Sequence, residues 1–245
     1  MFNRATDIKY LCKISVQNIC AKYLCQSSIM ISINILTYNR DVSTCLDAVK
    51  KNTNNINEVI LVDNANNYKR SYDDYVDKYI GLKNNEWTYS RNYGKLVAKY
   101  DYIACIDDDV IVYPGWDEIL LNIIQEDSNI AGVGPCGHYV YDNLSNYNKR
   151  NGLQGNYVDV LTGYCWMHRN IPEGILPDIN WRSWHDETWV QLQMREKGYR
   201  FKMSPNNCDH ISQRGEISEE SWKDHDEKIK LIQDRFDIKN LGLEK

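Results

Sequence analysis

Apolar runs that stop abruptly on polar residues, with helical segments between them, are the feature that most constrains this chain. Met30-Ile31-Ser32-Ile33-Asn34-Ile35-Leu36 reads as a buried strand ending at the turn Thr37-Tyr38-Asn39-Arg40, and Asp41 to Lys51 as the helix after it. Glu58 to Val62 reads as a second strand, ending on Asp63-Asn64, with a polar, helix-like stretch from Tyr68 to Ile80 behind it. A third unit passes through Asn92-Tyr93-Gly94-Lys95 and a short helix to the strand Tyr102 to Ile106. Strand and helix alternate as in a doubly wound nucleotide-binding half, so an α/β fold is expected. In such folds ligands bind outside the carboxyl ends of the strands.

The third strand ends on Asp107-Asp108-Asp109. Like charges crowded at a strand end repel one another and raise their own pKa values, so such a cluster is usually neutralised by a cation. Hard divalent ions take oxygen ligands, and Mg²⁺ is commonly held by one or two carboxylates together with substrate phosphates. The triplet therefore points to a metal site for a nucleotide diphosphate, the alternative being a solvated acidic turn. No Gly-x-Gly-x-x-Gly follows the first strand, and a Gly-Lys-Ser/Thr phosphate loop is also absent, so nucleotide binding would rest on the metal and on side chains at the strand ends.

At 245 residues and 42% hydrophobic content, the chain is long enough for one large α/β domain with appendages. A formal net charge of −5 with scattered Lys and Arg argues against a nucleic-acid partner. The eight cysteines include no Cys-x-x-Cys pair; with no secretory signal read ahead of them, they are expected to be reduced, mostly buried thiols of a cytoplasmic protein. No apolar stretch approaches the ~20 residues that span a bilayer. Eighteen tyrosines and seven tryptophans suit a core and also the faces of sugars.

Beyond Pro114-Gly115-Trp116 a helix is expected to about Glu126, then the apolar run Ile130 to Pro135 and a polar insertion from Tyr141 to Gly155. Val158 to Met167 reads as one strand with Gly163 midway, where backbone or ligand approaches closely. The Trp-, Asp- and His-rich segment Asp178 to Glu187 leads into a helix capped near Gly198, followed by the strand Tyr199 to Met203 and by Cys208-Asp209-His210. Trp181, Trp184 and Trp189 suggest an acceptor platform, with helix packing the alternative for Trp189. Residues 1–29 carry an apolar stripe, from Ile8 to Leu24, of a helical extension that packs on the body or forms a homo-oligomer contact. Residues 213–245, with Trp222, His225, Ile229, Ile232 and Phe236 at helical spacing, form a helical tail docked on the core.

In order, the turn Ile35 to Arg40, Val62-Asp63-Asn64, Arg91-Asn92-Tyr93-Gly94, the acidic triplet with Pro114-Gly115-Trp116, Thr162-Gly163, and His185-Asp186-Glu187 ahead of Gly198-Tyr199-Arg200 resemble a family 2 type glycosyltransferase of the GT-A fold. The resemblance covers residues 30 to about 212 and implies a mostly parallel central sheet flanked by helices. It implies a nucleotide-diphosphate sugar donor and a glycan or other hydroxyl acceptor. It places Thr37, Asn39, Arg40, Asp63, Arg91, Asp107 and Asp108 at the nucleotide sugar, with Asp63 on the base, and Asp107, Asp109 and His210 around Mn²⁺ or Mg²⁺. Imidazole leans the choice towards manganese; the alternative for His210 is a surface-loop histidine. Counting back from Gly198 puts Glu187 on the catalytic acid of the family, with Asp186 just before it. Since the family more often has Glu-Asp here, either is a candidate base of an inverting reaction, a helix cap being the alternative for Asp186. The rival readings are a sugar-phosphate nucleotidyltransferase, which would carry a Gly-rich loop after strand one, and a non-catalytic carbohydrate-binding relative.

Overall fold

The computed structural model describes residues 29–67, 70–139, 155–173, 185–211 and 219–238. In chain order the elements are β1 (Met30–Thr37), α1 (Ser43–Asn52), β2 (Ile56–Asp63), β3 (Lys78–Gly81), α2 (Arg91–Val97), β4 (Tyr102–Asp107), β5 (Val110–Val112), α3 (Trp116–Ile124), β6 (Ile130–Gly134), β7 (Gly137–His138), β8 (Tyr157–Val158), β9 (Val160–Leu161), β10 (Cys165–Arg169), α4 (Asp186–Glu196), β11 (Arg200–Met203), β12 (Cys208–His210) and α5 (Glu219–Arg235). The main sheet has the order β3-β2-β1-β4-β10-β6-β11-β8, and two small sheets pair β12 with β5 and β7 with β9.

Strands β3, β2, β1 and β4 are mutually parallel, as the α/β alternation predicts. β1 is buried on both faces, with Ile31, Ile33 and Ile35 fully enclosed, and each contributes roughly 1.5–3 kcal/mol of burial. Its register with β2 aligns Thr37 with Asp63, and its register with β4 aligns Leu36 with Asp107. The polar residues that end the apolar runs therefore share one sheet edge. β10 runs antiparallel to β4 and β6, so its start, not its end, lies at that edge.

Three expectations need correction. The described part of Tyr68 to Ile80 holds a 3₁₀ turn at Arg70–Tyr72 and then β3, because Lys78 to Gly81 extends the sheet by pairing with Ile60 to Asp63. The single strand expected over Val158 to Met167 is three short ones: β8 pairs with β11, β9 with β7, and β10 with β4, and the break falls at Thr162-Gly163. Asp186 does not cap its helix, since it is the first helical residue and the cap position is His185 in left-handed backbone.

Trp116 explains the Pro-Gly-Trp motif as structure, being fully buried with its Nε1 donating to Thr53 Oγ1 at 3.1 Å. The tail docks on the core, which takes in Ile232 of α5 and, just beyond the helix, Phe236 and Ile238; Phe236 meets Trp189 edge-on. Trp189 is thus a packing residue, while Trp222 remains 48% exposed. All five described cysteines are buried free thiols. The N-terminal stripe, the 141–155 insertion except Gly155, Trp181 and Trp184 lie outside the described residues.

Candidate active site

The carboxyl edge of the sheet opens into a cleft of about 370 Å³, lined by Thr37, Tyr38, Arg40, Trp87 and the acidic triplet among others. The protein itself supplies counter-charges to the triplet. Arg40 Nη1 donates to Asp109 Oδ2 at 2.7 Å and to Asp108 Oδ1 at 3.3 Å, and Thr37 Oγ1 donates to Asp108 Oδ2 at 2.8 Å. Arg91 Nη2 donates to Asp107, and its Nε lies 3.5 Å from Asp186.

His210 reaches the triplet because β12 pairs with β5, in the register His210 to Val110, and Ile211 N–H then closes on Asp109 carbonyl at 2.9 Å. Its Nε2 stands 3.1 Å from Asp109 Oδ1, and its ring stacks on Tyr164 at 4.6 Å between centroids. Burial pushes Asp109 up, but hydrogen bonds from His210 and Arg40 prevail and hold it down at about 2. Burial holds Asp108 above the usual carboxylate range. One donor atom from each of Asp107, Asp109 and His210 lies within 4.8 Å of the others. Two carboxylate oxygens and an imidazole nitrogen at this separation fit a divalent ion of the Mn²⁺ or Mg²⁺ kind.

The Arg-Asn-Tyr-Gly motif positions Arg91. A Cβ on Gly94 would fall 2.1 Å from Asn34 Oδ1, so only glycine lets α2 press on β1 there. That approach lets Asn34 Nδ2 donate to the Arg91 carbonyl at 3.1 Å. Burial opposes the charge on the guanidinium, but Asp107 and Asp186 outweigh it and raise its pKa. Behind it lies a small chamber of about 30 Å³, room for a water by size, walled by Asn34, Arg91, Lys95, His168, Asp186 and Glu187 among others. Arg91 Nη1 and Asn34 Oδ1 are buried there with no hydrogen-bond partner among the described residues. Burial holds the Lys95 ammonium down at about 8 and the His168 ring at about 3.

Glu187 is held against Gly163 by its helix. Gln191, one turn further along the same face of α4, donates to the Leu161 carbonyl at 3.0 Å and accepts its N–H at 2.6 Å. Desolvation in the chamber, then the charge of Asp186 beside it, raises Glu187 well above the ordinary glutamate range.

The structure thus brings Thr37, Arg40, Arg91, Asp107, Asp108, Asp109, Asp186, Glu187 and His210 into one connected group. Asn39 stands at its rim with left-handed backbone, its Oδ1 accepting from Asn67 Nδ2. Asp63 lies at the same edge but is buried, and its carboxylate accepts Ala65 N–H, Asn67 N–H and Tyr79 O–H. Sequence reasoning passed over Trp87 and Tyr164 at the site. The asparagine and serine around Trp87, residues that bond nearby backbone in turns, were the available signal; Tyr164 had none.

The family model described as Glycosyl transferase family 2 matches residues 32–206. The chain is 30% identical over 189 residues to hyaluronan synthase of Pasteurella multocida, covering 72% of this chain and 19% of that protein. It is 28% identical over 195 residues to chondroitin synthase of Escherichia coli, covering 70% of this chain and 26% of that one. The chain thus spans about a fifth to a quarter of the length of these relatives. Among solved structures, S. aureus TarS residues 1–349 shares the fold with a TM-score of 0.52 at 17% identity, over 73% of this chain and 58% of that one.

Proposed function

This chain belongs to glycosyl transferase family 2, and we propose that it is a metal-dependent enzyme that moves a sugar from a nucleotide-diphosphate donor to an acceptor hydroxyl with inversion. The observation that carries this reading is the donor cluster of Asp107, Asp109 and His210, whose two aspartates line the cleft, joined through Arg91 to Asp186, the neighbour of Glu187. When bound, a divalent ion supplies positive charge where negative charge builds on the diphosphate leaving group. Imidazole among the donors favours Mn²⁺ over Mg²⁺.

Asp107, Asp109 and His210 would hold that ion, and Arg40, half exposed at the rim, would offer its guanidinium to a phosphate. Thr37, Asn39 and Asp63 shape the nucleotide side of the cleft. Glu187 takes the proton from the acceptor hydroxyl as the sugar departs from the diphosphate. Its raised proton affinity suits a general base, which works best with a pKa near the operating pH. Asp186, 3.5 Å from the Arg91 Nε, lies beside Glu187 and contributes to that raised affinity. One base suffices for inversion, in contrast with the two carboxylates of glycoside hydrolysis.

Relatives named for making hyaluronan and chondroitin support a sugar hydroxyl as acceptor. Among the described residues no helix is long and apolar enough to cross a membrane, and we place the activity in the cytoplasm. Incubation with UDP-, GDP- and dTDP-sugars and Mn²⁺ tests the reading through nucleotide release. At least one donor should turn over, and chelation of the metal should stop it. If no donor releases nucleotide or raises the melting temperature, the assignment falls.

A further inference from the structure

Trp87 stands in a backbone conformation that its side chain disfavours. Among the described residues four other than glycine have left-handed backbone: Asn39, Asn66, His185 and Trp87, the last at φ 53°. Asparagine tolerates that region, whereas for a bulky residue it is a marked outlier that persists only where the surroundings impose it. Here the surroundings are identifiable. Asn85 Oδ1 accepts the Trp87 N–H at 2.9 Å, and the Trp87 carbonyl accepts from Asn64 Nδ2 at 3.0 Å and from Ser90 Oγ at 2.5 Å. Asn64 is itself buried, and its Oδ1 accepts the Glu86 N–H at 3.1 Å. The strain is thus anchored to the residue that follows β2.

Core packing does not require this arrangement. The indole belongs to neither hydrophobic cluster, is 44% exposed, and lines the same cleft as the acidic triplet. Strain that presents a large apolar face to solvent inside a cleft signals a flat ligand for that face.

The sheet order shows which part of a ligand this is. With the diphosphate at Asp107, Asp109 and His210, the sugar to be transferred must point to Asp186 and Glu187, on the side where β10 and α4 lie. The nucleoside then runs the other way along the edge, from β4 across β1 to β2. Neighbouring strands are about 4.8 Å apart, so β2 lies about 10 Å from β4, within the reach of a ribosyl diphosphate. Trp87 hangs from Asn64 at that point. We propose that the Trp87 indole is the platform on which the nucleobase of the donor stacks, fixed in advance by Asn64, Asn85 and Ser90 so that little ordering is needed on binding. The proposal rests on the nucleotide-diphosphate reading above and assigns its base subsite to this ring.

Trp87→Gly removes the ring and also relieves the strain, because glycine accepts positive φ; its melting temperature should match or exceed that of the parent. Trp87→Phe keeps a flat face. Calorimetric titration with Mn²⁺ and UDP should show W87G weakened roughly 5- to 150-fold, the range of one base–aromatic stack, and W87F largely restored. Titration with Mn²⁺ and pyrophosphate should be the same in all three. Should W87G not fold, W87L takes its place, with an apolar side chain but no flat face and the same expected loss. Undiminished UDP binding in the ring-less variant, or an equal loss for pyrophosphate, overturns the proposal. A parent that binds pyrophosphate but takes up UDP, GDP and dTDP no more tightly refutes the base platform and leaves the phosphate site standing. A parent that binds none of these ligands removes the nucleotide reading itself, and the platform with it.

Discussion

Glu187 fills the space beside Gly163: a Cβ built on that glycine would lie 3.3 Å from Glu187 Oε2 and 3.4 Å from its Cδ. Gly163→Ala should therefore push the carboxylate aside by a few tenths of an ångström without disturbing the triplet. Misplacing a catalytic group by about 1 Å can cost 10²-fold, so transfer should fall roughly 10- to 10²-fold while nucleotide affinity holds. Steady-state rates alongside calorimetry check this; an unchanged turnover number would mean that Glu187 has no need of its position.

Glu187→Gln should retain metal-dependent donor binding and lose roughly 10²–10⁴-fold in transfer, the range of general-base removal. The pH profile gives a sharper test. The base works ionised, so kcat/KM climbs as pH rises through its pKa. Burial and the negative charge of Asp186 hold that pKa up, and Asp186→Asn removes the second influence. The acid limb should then move to lower pH. A shift upward, or none, would exclude Glu187 as the group observed.

Asp109→Asn should abolish the tightening of UDP binding by Mn²⁺ and bring turnover close to background, since it removes one of the three clustered donors. The fold should survive, because Asp109 lies at the cleft and not in the hydrophobic core. Calorimetry with and without metal, beside a melting curve, separates the two effects. Full metal dependence in the variant would remove Asp109 from the ligand set.

A chain stopped after residue 211 should be markedly less stable. It loses Ile232, Phe236 and Ile238 from the core, at roughly 1.5–3 kcal/mol for each fully buried apolar side chain, and leaves Trp189 without Phe236. Against a total stability of about 5–15 kcal/mol, that loss should show in denaturant melts as a large drop in midpoint. A midpoint within experimental error of the parent would make α5 a mere appendage.

The apolar runs of β1, β2 and β4 were legible because burial on both faces demands continuous hydrophobicity. β3 was not: Lys78, Tyr79 and Ile80 are only partly buried at the outer end of the sheet, and their strand character comes from pairing with β2. The break at Gly163 was equally hidden, since β8, β9 and β10 take their partners from three distant parts of the chain. At the site, the triplet announced itself by charge, and the Asp186-Glu187 pair by its distance from Gly198. Nothing local revealed that Arg91 would link Asp107 to Asp186, because that link depends on how closely Gly94 lets α2 approach Asn34.

The pairing of β12 with β5 also sets a timetable. A chain made from its N-terminus exposes Asp107 and Asp109 long before His210 leaves the ribosome, and domains fold as units during synthesis. His210 joins Asp107 and Asp109 only when Cys208 to His210 pairs with Val110 to Val112. A chain halted before that strand would carry Asp107 and Asp109 without His210, and so only two of the three clustered donor residues.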